Sequence, residues 1–151
     1  MIIKIISGGQ TGADRGGLEA AKILGIQTGG FCPKGFLTEN GADISLKDFG
    51  LIELETSDYE SRTIKNVATA DGTVIFGNTD INGNLISPGS KLTYNTSVEL
   101  NKPVILNPDG EKFISWLKSN KISTLNVAGD RESANRGICE KVKGFLIKYI
   151  K

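Results

Sequence analysis

Residues 7–14 read Ser-Gly-Gly-Gln-Thr-Gly-Ala-Asp and lie between an apolar run and a helix-like pattern. Glycines let a backbone turn tightly and let a ligand approach the chain closely. The unpaired amides at the start of a helix suit a phosphate group. Because the loop has neither the Gly-Lys-Ser/Thr of a P-loop nor the Gly-x-Gly-x-x-Gly dinucleotide fingerprint, a turn that binds nothing is the alternative. The residues of this loop predicted to bind a ligand are Ser7, Gly8, Gly9, Gln10, Thr11, Gly12 and Asp14.

A lysine follows the second predicted strand. Lys34, next to Gly35, can pair with a phosphate as a point charge, and an ordinary exposed lysine is the alternative. Cys32, which precedes it, is expected to be a small buried residue rather than a nucleophile. We therefore predict Lys34 and Gly35 as ligand-binding residues.

Four polar side chains share one face of a predicted helix. Their spacing is i, i+3, i+4 and i+7, and they are Tyr59, Arg62, Thr63 and Asn66. Such a face is too polar for a plain core stripe and suits hydrogen bonding to a ligand or a partner subunit. A solvated face is the alternative.

Two later segments are predicted to reach the same ligand. Residues 80–93 form a long stretch after a buried strand, which is uncommon for a plain connection and typical of a binding loop. Gly89, Ser90 and Thr93, at the start of a helix, can present amides and hydroxyl groups to a second anion. Residues 126–131, which include Gly129, end the last strand in polar side chains.

The composition excludes several kinds of function. The chain contains no histidine, which rules out serine–histidine and cysteine–histidine nucleophiles and histidine metal sites. The formal net charge is +1, so nothing attracts the whole molecule to nucleic acid or to an anionic membrane. Cys32 and Cys139 are isolated, which predicts neither a disulfide nor an intrinsic metal site. The opening residues lack a signal-peptide pattern and no apolar run is long enough to span a bilayer, so the protein is expected to be cytoplasmic.

The elements that must position these residues alternate between short β-branched runs and amphipathic helical patterns, which is typical of an α/β fold. No linker or repeat interrupts the 151 residues, which are expected to form a single Rossmann-like domain. Its mainly parallel sheet, with helices on both faces, has strands predicted at residues 2–6, 28–31, 51–54, 73–76, 103–106 and 124–127. Right-handed crossovers would place the loops after residues 6, 31, 76 and 127 on the carboxyl edge of the sheet, where such folds bind ligands.

Local signals also predict the ends of the helices. The first helix spans residues 13–24 and ends at Gly25, and the second opens with a capping box at residues 57–60 and runs to about residue 70. The third follows Pro88-Gly89-Ser90 and ends near residue 101. The fourth spans about 109–120, and the last carries an apolar stripe over residues 138–150.

Taken in this order, the motifs resemble those of the molybdenum carrier protein family, a Rossmann-like group related to the lysine-decarboxylase-like nucleotide phosphoribohydrolases. The matching segments are residues 6–15, 32–35, 57–59 with Arg62, Thr63 and Asn66, 71–73 and 125–129. The resemblance implies a Rossmann-like fold, a homo-oligomer (a dimer or a tetramer), and binding of the molybdenum cofactor, molybdopterin, or a related nucleotide-like ligand. It also adds Arg15 to the predicted ligand-binding residues. The chain departs from the family at Phe36, at residues 88–90 and after Asp130.

The sequence therefore favours a carrier or sensor that binds a phosphorylated small molecule without changing it, and predicts no catalytic residue and no nucleic-acid or membrane partner. The alternative is a nucleotide N-glycosidase, similar to the phosphoribohydrolases, that hydrolyses a nucleoside monophosphate. Those enzymes need a carboxylate beside a Pro-Gly-Gly-x-Gly-Thr-x-x-Glu loop, and residues 89–96 contain no acid. Asp14 and Asp71 are the remaining candidates for that role. A nicotinamide dehydrogenase is less favoured, because the fingerprint glycines are absent.

Overall fold

The computed structural model describes residues 1–150, which contain eight strands. Their bounds are β1 Lys4–Ile6, β2 Gln27–Cys32, β3 Leu37–Thr38, β4 Gly41–Ala42, β5 Leu51–Glu53, β6 Gly72–Phe76, β7 Val104–Leu106 and β8 Thr124–Gly129. Six of them form one parallel sheet in the order β5-β2-β1-β8-β6-β7, and β3 and β4 form a separate antiparallel hairpin. The six predicted strands and the Rossmann-like α/β fold are thus confirmed.

The central strands β1, β8 and β6 are largely buried. Ile5 lies opposite Leu125 across β1 and β8, and Val74 lies opposite Val127 across β6 and β8. Apolar residues of this kind are expected where a parallel strand is covered on both faces. Since all six strands run in the same direction, their carboxyl ends share one edge of the sheet.

Five α-helices within residues 1–150 cover the sheet: α1 Ala13–Leu24, α2 Tyr59–Thr69, α3 Pro88–Glu99, α4 Gly110–Ser119 and α5 Ile138–Tyr149. Helices α1, α4 and α5 pack on one face, where Phe113, Val127 and Val142 belong to the main hydrophobic core. Helices α2 and α3 pack against each other on the other face. None of the helices in this part of the chain is both long enough and apolar enough to cross a lipid bilayer.

The side of the sheet under α2 and α3 is the more polar one. The buried residues of α3 are Ser90, Thr93, Thr96 and Ser97. From the sheet, β8 adds the buried side chain of Asn126. Buried polar groups need hydrogen-bond partners, so this side of the molecule is organised by specific polar contacts.

The start of α2 differs from the prediction. The cap is Asp58 and not Ser57, because the Asp58 carboxylate accepts hydrogen bonds from the amide and the hydroxyl of Ser61 at 2.8 and 2.7 Å. A carboxylate at this position pairs both with the free amides and with the positive end of the helix dipole.

The segment between β2 and β5 also holds structure that the sequence does not predict. It forms the β3–β4 hairpin and a 3₁₀ helix, Ile44–Phe49. Leu46 and Phe49 of that helix pack with Leu18 of α1 in a second, smaller apolar cluster. This contact with α1 is what fixes the segment beside the loop that follows β1.

Candidate functional site

A cleft at the carboxyl edge of the sheet, which we call the central cleft, lies between the loop after β1, helix α2, the start of α3 and the end of β8. Its volume is ≈ 500 Å³ counted to its open mouth. The predicted residues that line it are Gly8, Gln10, Asp14, Arg62, Thr63, Asn66, Gly89, Thr93 and Gly129. Ser87, Asn126, Ala128 and Arg131 complete the lining. Four segments that are far apart in sequence therefore meet at one edge of the sheet.

An ion pair lies at the floor of the central cleft. Arg62 Nη1 lies 3.7 Å from Asp14 Oδ2 and donates to the Gly8 carbonyl oxygen at 3.2 Å. The two charged side chains are only 11% and 9% exposed. Burial raises the pKa of the Asp14 carboxyl to about 6, even though the Arg62 guanidinium and the amides of Gln10 and Gly8 favour its charged form. The floor of the cleft therefore holds a carboxyl group that changes charge close to neutral pH.

Three amides of the loop after β1 have acceptors within the protein. The pairs are Gly9 with Ser7 Oγ at 3.2 Å, Gln10 with Asp14 Oδ2 at 3.1 Å, and Thr11 with Gln10 Oε1 at 3.0 Å. Glycine at position 8 leaves room for the Arg62 side chain of α2, because a Cβ atom there would lie 2.2 Å from Arg62 Cδ. That these amides bind a phosphate stays a prediction, and a ligand would have to displace the acceptors that they already have.

Two buried amide side chains of the cleft each have an atom without a hydrogen-bond partner. These atoms are Gln10 Nε2 and Asn126 Oδ1, in residues that are 4% and 2% exposed. Gln10 Oε1 accepts from two backbone amides, those of Thr11 at 3.0 Å and Glu39 at 2.8 Å. Its orientation is therefore determined, and Nε2 is the atom left without a partner among residues 1–150. Unpaired buried polar atoms are rare in folded proteins and call for an explanation such as a ligand.

The N-terminus of α3 lies at the opposite wall, where Ser87 and Gly89 line the cleft. Ser87 is the N-cap residue, but its side chain makes no capping hydrogen bond. The helix therefore presents amides and the positive end of its dipole at this wall. Ser90 lies behind the wall and donates its hydroxyl to Asp130 Oδ1 at 2.7 Å, which ties α3 to the end of β8.

Two arginines that line the cleft approach the ring of Tyr59, which is not itself among the lining residues. The guanidinium carbons of Arg62 and Arg131 lie 5.0 and 5.6 Å from the ring centroid. Such cation–π contacts hold the two positive charges near each other. The sequence predicts that residues 126–131 reach this edge but does not single out Arg131. The available signal is an arginine directly after the polar end of a strand.

Asn66 and Thr63 use their polar groups within the fold. Asn66 accepts from the Phe31 amide and donates to the Phe31 carbonyl oxygen, both at 2.9 Å, and so holds α2 to β2. Thr63 Oγ1 donates to the Tyr59 carbonyl oxygen one turn earlier. Of the polar helix face predicted from the sequence, Arg62 is the residue that brings charge to the cleft.

Lys34 and Gly35 lie away from the central cleft and are exposed. The Lys34 amide donates to the Thr56 carbonyl oxygen and the Gly35 amide to Glu53 Oε1. The turn after β2 is therefore bound to the segment around β5, at the edge of the sheet. Contact of Lys34 or Gly35 with a ligand stays a prediction.

The remaining predicted residues lie on the other side of the loop after β1. Gly9, Thr11, Gly12 and Arg15 line a separate groove there. Arg15 pairs with Glu19 at 2.8 Å and with Asp43 at 3.4 Å, so its charge is compensated. The structure does not bring these side chains together with the central cleft, whereas Ser7 lies buried beneath the loop.

Within residues 1–150, one group of side chains has the composition of a metal site. Donor atoms of Glu19, Cys139 and Glu140 lie within 4.8 Å of one another. Lys143 Nζ lies 3.4 Å from Glu19 and 3.8 Å from Glu140, so an ammonium group already compensates the carboxylates. Burial raises the pKa of the Cys139 thiol to about 11, which disfavours the thiolate that a metal would bind. The group is best described as an ion-paired cluster.

Comparison with known proteins gives a family and one close structural relative. The sequence model of the circularly permutated YpsA SLOG family matches residues 5–150. The crystal structure of a "putative molybdenum carrier protein" from Syntrophus aciditrophicus SB has 36% sequence identity and a TM-score of 0.88, over 99% of this chain and 96% of that chain. The structure of (E)-4-hydroxy-3-methyl-but-2-enyl diphosphate reductase has 14% identity and a TM-score of 0.43, over 97% of this chain and 59% of that chain, which is too little to support an argument. No curated protein matches the chain.

Proposed function

Because the chain belongs to the circularly permutated YpsA SLOG family, we propose that it binds a phosphorylated, nucleotide-like small molecule in the central cleft and carries or senses that molecule. The name of the similar protein from Syntrophus aciditrophicus SB refers to molybdenum carriage. The molybdenum cofactor, molybdopterin, is therefore the first ligand to test.

The observation that carries this proposal is the excess of positive charge among the residues that line the cleft. Arg62 and Arg131 both line the cleft and both contact Tyr59, and the Asp14 carboxylate compensates Arg62, so Arg131 carries the excess charge. The N-terminus of α3 adds the positive end of a helix dipole. Guanidinium groups beside a helix N-terminus favour a phosphate. Asp14 is the acidic residue among those that line the cleft. Because like charges repel, the phosphate is expected to bind near Arg131, away from the Asp14 carboxylate.

The geometry gives the N-glycosidase alternative little support. Glu99 ends α3, about 15 Å along the helix from its first turn at 1.5 Å per residue. Asp71 lies at the opposite edge of the sheet, where its carboxylate accepts from the amides of Ser123 and Thr124 at 3.0 and 2.8 Å. Asp14 is the acid that remains, and a carboxyl with a raised pKa in a cleft is a candidate for proton transfer. Release of a free base from nucleoside monophosphates, lost in Asp14→Asn, would make the protein an enzyme.

We further propose that the protein is a homo-oligomer, in which a second copy covers the outer face of α3. The exposed apolar residues in and next to α3 are Ile86, Tyr94, Val98 and Leu100, of which Tyr94 and Val98 lie in the helix. Beside them, β7 is the last strand of the sheet and leaves one edge unpaired, and a groove of ≈ 1000 Å³, counted to its open mouth, runs between β7 and α3. Exposed apolar surface next to a free strand edge is typical of an interaction site. The cytoplasmic location expected from the sequence stays a prediction.

A matched pair of arginine substitutions tests the proposed site. Arg131→Gln removes a guanidinium that lines the cleft, whereas Arg136→Gln removes one from an exposed position five residues later. Loss of a charged hydrogen-bond donor is expected to weaken binding of a nucleoside monophosphate or of molybdopterin about tenfold or more, and Arg136→Gln is expected to leave it unchanged. Isothermal titration calorimetry measures both affinities, and equal effects of the two substitutions would place the phosphate elsewhere.

Mass spectrometry of protein purified under native conditions tests the carrier role directly. We expect a phosphorylated pterin or nucleotide in the spectrum of the native protein, and less of it in Arg131→Gln. Protein that carries no such molecule, and that binds neither molybdopterin nor nucleoside monophosphates when they are added, would overturn the proposed function.

A further inference from the structure

We propose that the floor of the central cleft is a subsite for the ring of the ligand, a nucleobase or a pterin, in which Gln10 donates and Asn126 accepts a hydrogen bond at the polar edge of that ring. The inference rests on the proposed function, because it assigns the end of the ligand that carries no phosphate. It also gives the loop after β1 a different task from the phosphate binding that its glycines predict.

The orientation of the Gln10 side chain is fixed by the backbone. Two backbone N–H groups, of Thr11 and Glu39, donate to Oε1 of the side chain. If the side-chain amide were turned round, its NH₂ group would face these two N–H groups, and hydrogen-bond donors would face donors. The positions of Oε1 and Nε2 are therefore determined. The Nε2 group that remains is buried and has no partner among residues 1–150. It is an oriented hydrogen-bond donor on a residue that lines the cleft.

A second observation is the position of Asn126. It lies in the middle of β8, directly opposite Thr73 of β6, and is 2% exposed. Its Nδ2 donates to Thr73 Oγ1 at 3.2 Å, and its Oδ1 has no partner. A polar side chain at the centre of a buried parallel sheet is costly unless both of its atoms are paired. A ligand that donates a hydrogen bond to Oδ1 would complete its bonding.

A third observation is the charge of the floor. Arg62 and Asp14 compensate each other at 3.7 Å, so the floor has a donor, an acceptor and no excess positive charge. A phosphate there would lie beside the Asp14 carboxylate, which is unfavourable. The edges of nucleobases present hydrogen-bond donors and acceptors side by side without net charge, and a pterin ring does the same. The cleft, ≈ 500 Å³ counted to its open mouth, is of the size that holds a small ligand with a ring.

The experiment compares phosphates with and without a ring. The probes are ribose 5-phosphate, AMP, GMP and a phosphorylated pterin, each titrated calorimetrically into the full chain. We expect at least one ring-bearing phosphate to bind ten times or more tightly than ribose 5-phosphate, and the AMP, GMP and pterin arms to distinguish a purine site from a pterin site. The quantity compared between variants is the affinity of a ring-bearing phosphate divided by the affinity of ribose 5-phosphate. Because every probe carries a phosphate group, this ratio does not depend on the contacts of that group.

The decisive variant is Gln10→Glu, which keeps an oxygen to accept from Thr11 and Glu39 but turns the free donor into an acceptor. The ratio is expected to fall about tenfold, while Gln27→Glu, the same change at an exposed position at the start of β2, is expected to leave it unchanged. Asn126→Leu, which removes the acceptor and keeps a side chain of similar size, is a second variant that should also lower the ratio.

Each result has a distinct meaning. A ratio that Gln10→Glu and Asn126→Leu leave unchanged overturns the ring subsite and leaves the proposed function standing. The same holds if ribose 5-phosphate binds as tightly as every ring-bearing probe. If none of the phosphates binds, the proposed function fails, and the ring subsite fails with it.

Discussion

At the scale of single residues, the central cleft is governed by competition between burial and charge at Asp14. Removing a carboxylate from water disfavours its charged form, while a guanidinium and two amides favour that form. Burial is the larger influence, so the pKa of the carboxyl rises from 3.8 to about 6. The folded protein therefore binds this proton more tightly than the unfolded chain does. The resulting stabilisation is complete below about pH 4 and is lost as the pH rises through about 6.

The substitution Asp14→Asn isolates this effect because an amide does not titrate. Between about pH 4 and pH 7.5 we expect the difference in unfolding free energy between the variant and the native protein to move in favour of the variant by up to about 3 kcal/mol. Urea denaturation of both proteins across this range measures the difference. Asp48→Asn, which changes an exposed aspartate, corrects for the loss of a charge, and a difference that does not vary with pH would contradict the argument.

Residue types at the site are readable from the sequence, whereas their partners are not. The chemistry of Arg62 and Gln10 follows from side-chain type and spacing, and both do line the cleft. The Gln10 side chain keeps Nε2 free because the backbone amide of Glu39 donates to its Oε1. Glu39 lies in a hairpin that no sequence pattern predicts. Lys34 looks as suitable for a phosphate as Arg131 does, but the path of the chain after β2 takes it away from the cleft. Contacts between distant segments decide these cases.

At the scale of elements, the β3–β4 hairpin connects the two loops that flank the groove beside α1. The Glu39 carboxylate accepts hydrogen bonds from the hydroxyl of Thr11, in the loop after β1, and from the hydroxyl and the amide of Ser133, between β8 and α5. Its backbone amide also holds Gln10. One residue of the hairpin is therefore bonded to two other parts of the chain, the loop after β1 and the segment between β8 and α5.

Glu39→Ala is expected to destabilise the protein by about 1 kcal/mol, because it removes the carboxylate that accepts hydrogen bonds from Thr11 and Ser133, and water can replace it only at the exposed Ser133. Glu55→Ala removes an exposed glutamate of the neighbouring segment and is expected to change the unfolding free energy by less than about 0.5 kcal/mol. Chemical denaturation of both variants tests the expectation. Equal stability of the two would show that the hairpin does not hold the loops together.

The alternating elements are predictable because each has a pattern of its own, with apolar runs for the strands and apolar stripes for the helices. The β3–β4 hairpin has no such pattern, because its strands have only two residues each and are too short to show a period. Its position follows from Glu39 and from Leu46 and Phe49, which pack against α1. Short elements of this kind depend on tertiary contacts and cannot be derived from local periodicity.

At the scale of the whole molecule, the two faces of the sheet serve different purposes. The face under α1, α4 and α5 carries the large apolar core, and the face under α2 and α3 carries the buried polar groups next to the cleft. Helix α3 shows the difference most clearly, because its inner surface is made of hydroxyl side chains while Tyr94 and Val98 point outwards. A surface helix of an isolated protein has the reverse arrangement, which supports a second copy on its outer face.

A single charge on that outer face tests the assembly. Val98 is 53% exposed, and Val98→Glu places a carboxylate where the proposed partner would bury apolar surface. We expect the variant to fold normally, with unchanged far-ultraviolet circular dichroism, and to be a monomer at concentrations where the native protein is a dimer or a tetramer. Ile23→Glu makes the same kind of change at a residue that is 60% exposed on α1, across the sheet, and is expected to keep the native mass. Sedimentation velocity distinguishes these masses, and a Val98→Glu protein with the native mass would mean that the subunits meet elsewhere, because an unpaired charge in an apolar interface would dissociate them.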